Sequence, residues 1–124
     1  MATGIIEAII GGNGAVIPVG SYADVQIPGD CSLYRWTALA DEIGSISVDL
    51  RACTQAQYDG GVSHPVSADS ITGGNPIMIV SGIKGQDTVL GGWSRTLIAG
   101  NVLRFIVTAV SSIQQITVSL EILK

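Results

Sequence analysis

Chemistry at a protein surface needs a nucleophile beside a base, a pair of acid–base groups, or converging metal ligands. This sequence of 124 residues offers few of them. The single histidine, His64, precedes Pro65 in a stretch rich in glycine and serine. One imidazole among dispersed carboxylates has no metal-ligand spacing, and Cys31 and Cys53 form no C-x-x-C pair. Asp41-Glu42 and Asp69-Ser70 supply carboxylates, but such groups near glycine turns serve mostly as solvated turn formers or caps. There is no G-x-S-x-G elbow for a Ser/His/Asp triad and no D-x-D-x-D-G calcium loop. Gly11-Gly12-Asn13-Gly14 has the glycines of a phosphate cradle. That use needs a following helix, whereas Ala15-Val16-Ile17-Pro18 is strand-like, so a turn is expected. These residue types point away from an enzyme: no catalytic residue, cofactor or metal is expected.

The elements that would position these groups are strands. In residues 32–51, Ile46, Val48 and Leu50 alternate with Ser45, Ser47, Asp49 and Arg51, the period of a half-buried strand. Trp36 is a candidate core anchor. The Asp41-Glu42-Ile43-Gly44 cluster predicts a tight turn, making this stretch a central hairpin. Residues 102–109 place Leu103, Phe105 and Val107 on one face. Their other face, with Val102, Arg104 and Ile106, is oddly apolar for a side turned to water. Residues 115–124 alternate most cleanly, with Val118 and Leu120 inward. Further short strands are expected at residues 21–28, 77–80 and 96–98, with a polar turn at 84–87. Residues 4–10 predict a strand, or an arm that adds to a neighbour's sheet, so that 1–14 is a possible N-terminal arm of a single domain, 1–124. Residues 54–76, broken by Gly-Gly and His-Pro pairs, predict a long functional or partner-bound loop, with a helical turn near 67–71. About eight short strands with glycine-rich connections indicate an all-β, antiparallel β-sandwich or jelly roll. Trp36, Ile46, Val48, Leu50, Leu103, Phe105, Val118 and Leu120 are its expected core.

Composition narrows the partners. Charged residues make up 13% of the chain, about half the usual share, and the net charge is −4. The six bases are scattered, which argues against nucleic acid. No apolar run approaches a membrane span, and the N-terminus lacks the positive region of a signal peptide. Assembly in a reducing cytoplasm follows, with Cys31 and Cys53 read as buried free thiols, although no spacing excludes their pairing. So little charge suggests that a partner covers part of the surface.

Three segments carry a resemblance. The first is Tyr34-Arg35-Trp36-Thr37-Ala38-Leu39-Ala40-Asp41 followed by Gly44-Ser45-Ile46-Ser47-Val48-Asp49-Leu50. The second is Ala68-Asp69-Ser70-Ile71-Thr72-Gly73, with Pro76 shortly after. The third is Gly92-Trp93-Ser94, then Leu97, Ala99-Gly100-Asn101-Val102-Leu103 and Phe105. In this order they resemble a β domain that recurs in structural proteins of tailed bacteriophages. Where that family often has an aromatic-rich insert after its Val-Asp strand, this chain has Ala52-Cys53-Thr54-Gln55-Ala56-Gln57-Tyr58.

The resemblance implies a virion structural protein without catalytic residues. The leading expectation is a capsid decoration (cement) protein on the outer capsid surface, bound non-covalently to the major capsid protein and associated as a homotrimer. A complete short chain starting at Met1, with no preceding shaft, favours it. The alternative is a tail-fibre or head-fibre module that binds a receptor or host-surface sugar, and a third is a tail or baseplate subunit. Candidate interface residues are Ile5, Ile6 and Ile9 of the arm, Tyr58 and His64 of the loop, and Arg104 with Ile106 on the apolar outer face.

Overall fold

A computed structural model describes residues 3–60 and 64–124; residues 1–2 of the expected arm and 61–63 of the expected loop lie outside the described residues. The strands are β1 (Thr3–Gly11), β2 (Tyr22–Gln26), β3 (Cys31–Cys53), β4 (Ile77–Asp87), β5 (Thr96–Leu97), β6 (Val102–Ser111) and β7 (Gln115–Leu123). A five-residue helix, α1 (Gln55–Asp59), and a 3-10 turn at Ser67–Asp69 follow β3.

β3 organises the rest. It runs for 23 residues. One edge pairs with β7 from Ser32 to Ala40 and then with β6 from Ser45 to Cys53, so β6 and β7 lie end to end along it. The other edge takes β4, since Ala38 pairs with both Val118 and Gly85, and Ile46 with both Val110 and Ile79. β1 extends the sheet beyond β7 and β2 extends it beyond β6. Every pairing is antiparallel, and the seven-stranded sheet doubles over at the middle of β3 until β1 and β2 approach. The result is a nearly closed, barrel-like sheet.

The fold corrects several expectations. Residues 32–51 are one bent strand, not a hairpin. At the bend the Asp41 carboxylate accepts from the backbone N–H groups of Gln114 and Gln115, both at 3.1 Å. Gly44 lies so close to β6 that a Cβ there would collide with the Ser111 carbonyl oxygen and Ile113. Acids and a glycine suit a reversal or a corner equally, and only the partner strand decides which forms. Residues 84–87 belong to β4 and are not a turn. Residues 15–18 form a loop, pinned by Ile17 N–H to the Ile113 carbonyl at 3.1 Å. Residues 4–10 are no free arm, because β1 pairs with β7 from Thr3↔Leu123 to Gly11↔Gln115.

Inside the doubled sheet, Trp36, Ile46, Val48, Leu50, Leu103, Phe105, Val118 and Leu120 are all buried. Ile6, Ala8 and Ile10 join them from β1, which removes Ile6 from any interface. Trp93 donates its indole N–H to the Asn75 carbonyl at 2.8 Å, so its burial leaves no unmet donor.

Two outcomes test this account. Gly44→Ala should lower unfolding free energy by about 2–3 kcal/mol, because the added methyl meets rigid backbone. Gly29→Ala, whose Cβ would meet nothing within 4 Å, should be neutral or slightly stabilising. Urea denaturation of both variants makes the comparison. Val118→Asp, with an unpaired charge in the core, should not fold, as circular dichroism would show.

Candidate functional site

Alternation along three strands brings a set of polar side chains to one outer face. β2 contributes Tyr22 and Asp24, β6 contributes Arg104 and Ile106, and β3 contributes Asp49 and Arg51. In register, Asp24 stands opposite Arg104, which stands opposite Arg51, which bridges to Ser70. The next row is Tyr22, Ile106 and Asp49. Two arginines directly opposite each other repel unless each has its own counter-ion. Each has one. Arg104 grips Asp24 with two parallel bonds, Nε to Oδ1 at 2.8 Å and Nη2 to Oδ2 at 2.9 Å. Arg51 Nε donates to Asp49 Oδ2 at 3.0 Å.

The segment after β3 folds onto this face. Thr54 caps α1 by accepting from Gln57 N–H at 3.1 Å, while the Gln57 side chain accepts from Thr54 N–H at 2.9 Å. That cap presents Tyr58, whose hydroxyl donates to Asp24 Oδ2 at 2.9 Å. Arg104 Nη1 reaches the Pro65 carbonyl at 3.4 Å. The 3-10 turn is tied by Asp69 Oδ2, which accepts from Val66 N–H and meets His64 Nδ1, both at 2.8 Å. Ser70 Oγ and Thr72 Oγ1 both donate to Asp49 Oδ1 at 2.8 Å. Ile71 N–H bonds the Leu50 carbonyl at 2.9 Å.

The carboxylates respond to these partners. Burial pushes the Asp24 carboxyl up, but the bonds from Arg104 and Tyr58 and the Arg104 charge outweigh it and hold it below its ordinary value. The His64 bond, aided by Val66 N–H, lowers Asp69. The Tyr58 phenol is raised because its proton is bonded to Asp24. Cys31 and Cys53 are free, buried and raised, chiefly by burial, so neither thiol is an activated nucleophile.

The expected site residues therefore divide. Tyr58 and Arg104 come together on Asp24, whereas His64 is bonded to Asp69 of the 3-10 turn. Ile5 and Ile9 stand exposed on the other half of the sheet, 63% and 58% accessible. Arg104 is not a vacant contact residue, as the outer-face reading had it: Asp24 and Pro65 bind it, and its guanidinium carbon lies 4.0 Å from the Tyr22 ring centre. Ile106 is half-buried within that face. The sequence reading missed Tyr22, Asp24, Asp49, Arg51, Ser70 and Thr72 as parts of one site. Alternation placed Tyr22 and Asp24 on β2 and Asp49 and Arg51 on β3, but cross-strand partners are not written locally, and nothing marked Ser70 and Thr72.

The arrangement is a bonded lattice. His64 and Asp69 form a dyad, but the neighbouring Ser70 hydroxyl is committed to Asp49, so no triad geometry results. Among the described residues no three His, Cys, Asp or Glu side chains converge on a metal position. No described helix is long and apolar enough to cross a membrane.

The lowered Asp24 and Asp69 give a signed pH dependence. Stability from a depressed carboxyl is fully present above its unfolded value, near 4, and disappears as pH falls through the folded value. The melting temperature should therefore drop between pH 5 and pH 3. Asp24→Asn should reduce that drop while costing about 1–3 kcal/mol at neutral pH. Thermal melts across the range provide the check.

No family model and no curated protein matches the chain. Among solved structures, it is similar to the catalytic domain of a GH87 alpha-1,3-glucanase in complex with nigerose. The two are 11% identical with a TM-score of 0.43, and the match covers 100% of this chain and 28% of that one. The serine protease of Aeromonas sobria is 6% identical with a TM-score of 0.37, covering 98% and 27% respectively. This chain thus spans little more than a quarter of either structure, and likenesses this distant bear on neither its fold nor its activity.

Proposed function

We propose that the chain is a structural protein of a tailed-bacteriophage virion, a capsid decoration protein. It sits on the outer surface of the shell, associates as a homotrimer, and binds the major capsid protein non-covalently. In this reading the two halves of the doubled sheet act as the layers of a sandwich. The sequence resemblance supports the class.

The open edge of β4 is the observation that carries the attachment. β4 pairs only with β3 among the described strands, leaving its second edge without a strand partner. Met78, Val80 and Ile83 are exposed along it, Val80 at 70%. Beside them a shallow groove of about 390 Å³ runs over Ser45, Ser47 and Ala109. An open edge lined with apolar side chains accepts an added strand, with backbone bonds giving affinity and side chains giving fit. β1 cannot be the donated arm, since its inward residues complete this chain's own core. Its exposed Ile5 and Ile9 supply a second apolar contact on the surface of the fold. Repeated over many equivalent sites, such contacts stabilise a shell.

Co-sedimentation with capsids, at fixed stoichiometry to the major capsid protein, is the direct test. Val80→Glu with Ile83→Glu should leave the fold intact and weaken attachment at least about tenfold, since both side chains lie outside the core. Ile5→Lys with Ile9→Lys should weaken it less. Normal attachment by the β4 double variant would refute the edge mechanism. Light scattering that shows only monomer, both free and on the shell, would refute the trimer.

A further inference from the structure

We infer that Asn13 is a modification site, where the side-chain amide converts spontaneously to a carboxylate through a ring closed by the Gly14 backbone nitrogen. The inference is independent of capsid attachment.

The Gly11-Gly12-Asn13-Gly14 cluster is followed by a loop, not a helix, and belongs to none of the sites above. Asparagine is labile where the next peptide nitrogen can reach its side-chain carbonyl carbon, unhindered and with no hydrogen bond to break. Asn13 meets each requirement. It is exposed in a turn closed by Ala15 N–H on the Gly12 carbonyl at 3.2 Å. A Cβ on Gly14 would meet nothing within 4 Å, and no acceptor among the described residues takes the Gly14 N–H. The two other asparagines lack this setting. Asn75 precedes Pro76, which has no N–H to lose, and its own amide bonds the Gly91 carbonyl at 2.7 Å. Asn101 precedes Val102, whose branched side chain hinders attack and whose backbone is held in β6 between Gln26 and Cys53.

The step balances with water as the one co-reactant. The Gly14 nitrogen bonds to Asn13 Cγ, the Cγ–Nδ2 bond breaks, and ammonia leaves with the proton that Gly14 gives up. Water then opens the succinimide at either carbonyl. One opening leaves an aspartyl residue at position 13. The other leaves an isoaspartyl residue, whose backbone is one carbon longer. Both add a negative charge.

The place gives that change a consequence. Asn13 and Gly14 share a polar cleft of about 520 Å³ with Asp41, Gln114 and Gln115, the residues that pin the bend of β3. A carboxylate at position 13 puts a like charge in the cleft of the Asp41 carboxylate. The turn is also clamped at both ends, by Gly12 N–H on the Gln114 carbonyl at 2.8 Å and Ile17 N–H on the Ile113 carbonyl at 3.1 Å. An added backbone carbon must be absorbed between those fixed points.

The test incubates folded protein at mildly alkaline and mildly acidic pH and maps its peptides by mass spectrometry. The peptide carrying Asn13 should gain the mass of one amide-to-acid exchange, as two separable products. Conversion should be faster at alkaline pH, because the attacking nitrogen must lose its proton. Peptides carrying Asn75 and Asn101 should stay unchanged. Asn13→Gly, which suits the φ of 56° there, should fold and lose the mass shift. The melting temperature should fall as the wild-type protein converts and stay constant in Asn13→Gly. Conversion that is absent, or more than about tenfold slower in the folded protein than in urea, overturns the inference. So does conversion at Asn101 as fast as at Asn13. A melting temperature unmoved by complete conversion overturns the link to the bend.

Discussion

The corner where β3 bends past the break between β6 and β7 sets the rest of the structure. A strand of 23 residues could not enclose a core if it stayed straight. It bends because two chain segments fix each other. The Asp41 carboxylate takes the N–H groups of Gln114 and Gln115, which the interrupted ladder leaves without strand partners. Gly44 lets the β3 backbone approach the Ser111 carbonyl, and Ile113, fully buried, fills the inside of the corner. Ser112 adopts the left-handed region at φ 69° to complete the break. β4 follows the same bend, with Ser81 at φ 47°. Once the corner exists, the two ends of β3 face each other, and the alternation along each half supplies one wall of the core.

The outer face of β2, β6 and β3 follows from that geometry. The bend places Arg51 of β3 opposite Arg104 of β6, an arrangement that would repel in isolation. Asp24 and Asp49 resolve it, and each carboxylate then takes hydroxyl donors from the connecting segment. The long segment between β3 and β4 is therefore secured by charge-assisted bonds more than by apolar burial. Its helix and its 3-10 turn bury no residue.

Much of this was legible in the sequence, and the failures share a cause. Alternation identified β6 and β7 and the inward residues of β3, since period 2 is a local property that burial on one face imposes. The Asp41–Gly44 cluster announced a change of direction but not its angle, because the deciding contacts come from Ser111 and Gln114, seventy residues on. The odd apolar character of Val102, Arg104 and Ile106 was visible too. It suggested a foreign partner, whereas the chain's own Tyr22, Asp24 and Pro65 engage Arg104. The N-terminal segment misled for the same reason: β-branched residues predict a strand, but not whose sheet it joins.

The scarcity of charge takes on meaning once the partners are known. Of the six bases, Arg35, Arg51 and Arg104 are paired with Glu121, Asp49 and Asp24. Arg95 bonds the Val89 carbonyl. The positive charge left without an acidic partner on the open surface is that of Lys84, Arg95 and Lys124. Such a surface cannot attract polyanions, nor steer a charged ligand over long range. What it does present is hydroxyls, exposed β-branched rows along open strand edges, and two anchored tyrosines. Interactions with those groups act only at contact and depend weakly on salt. Contacts of that kind are what the proposed attachment to a shell requires, since repeated local fit needs no long-range attraction.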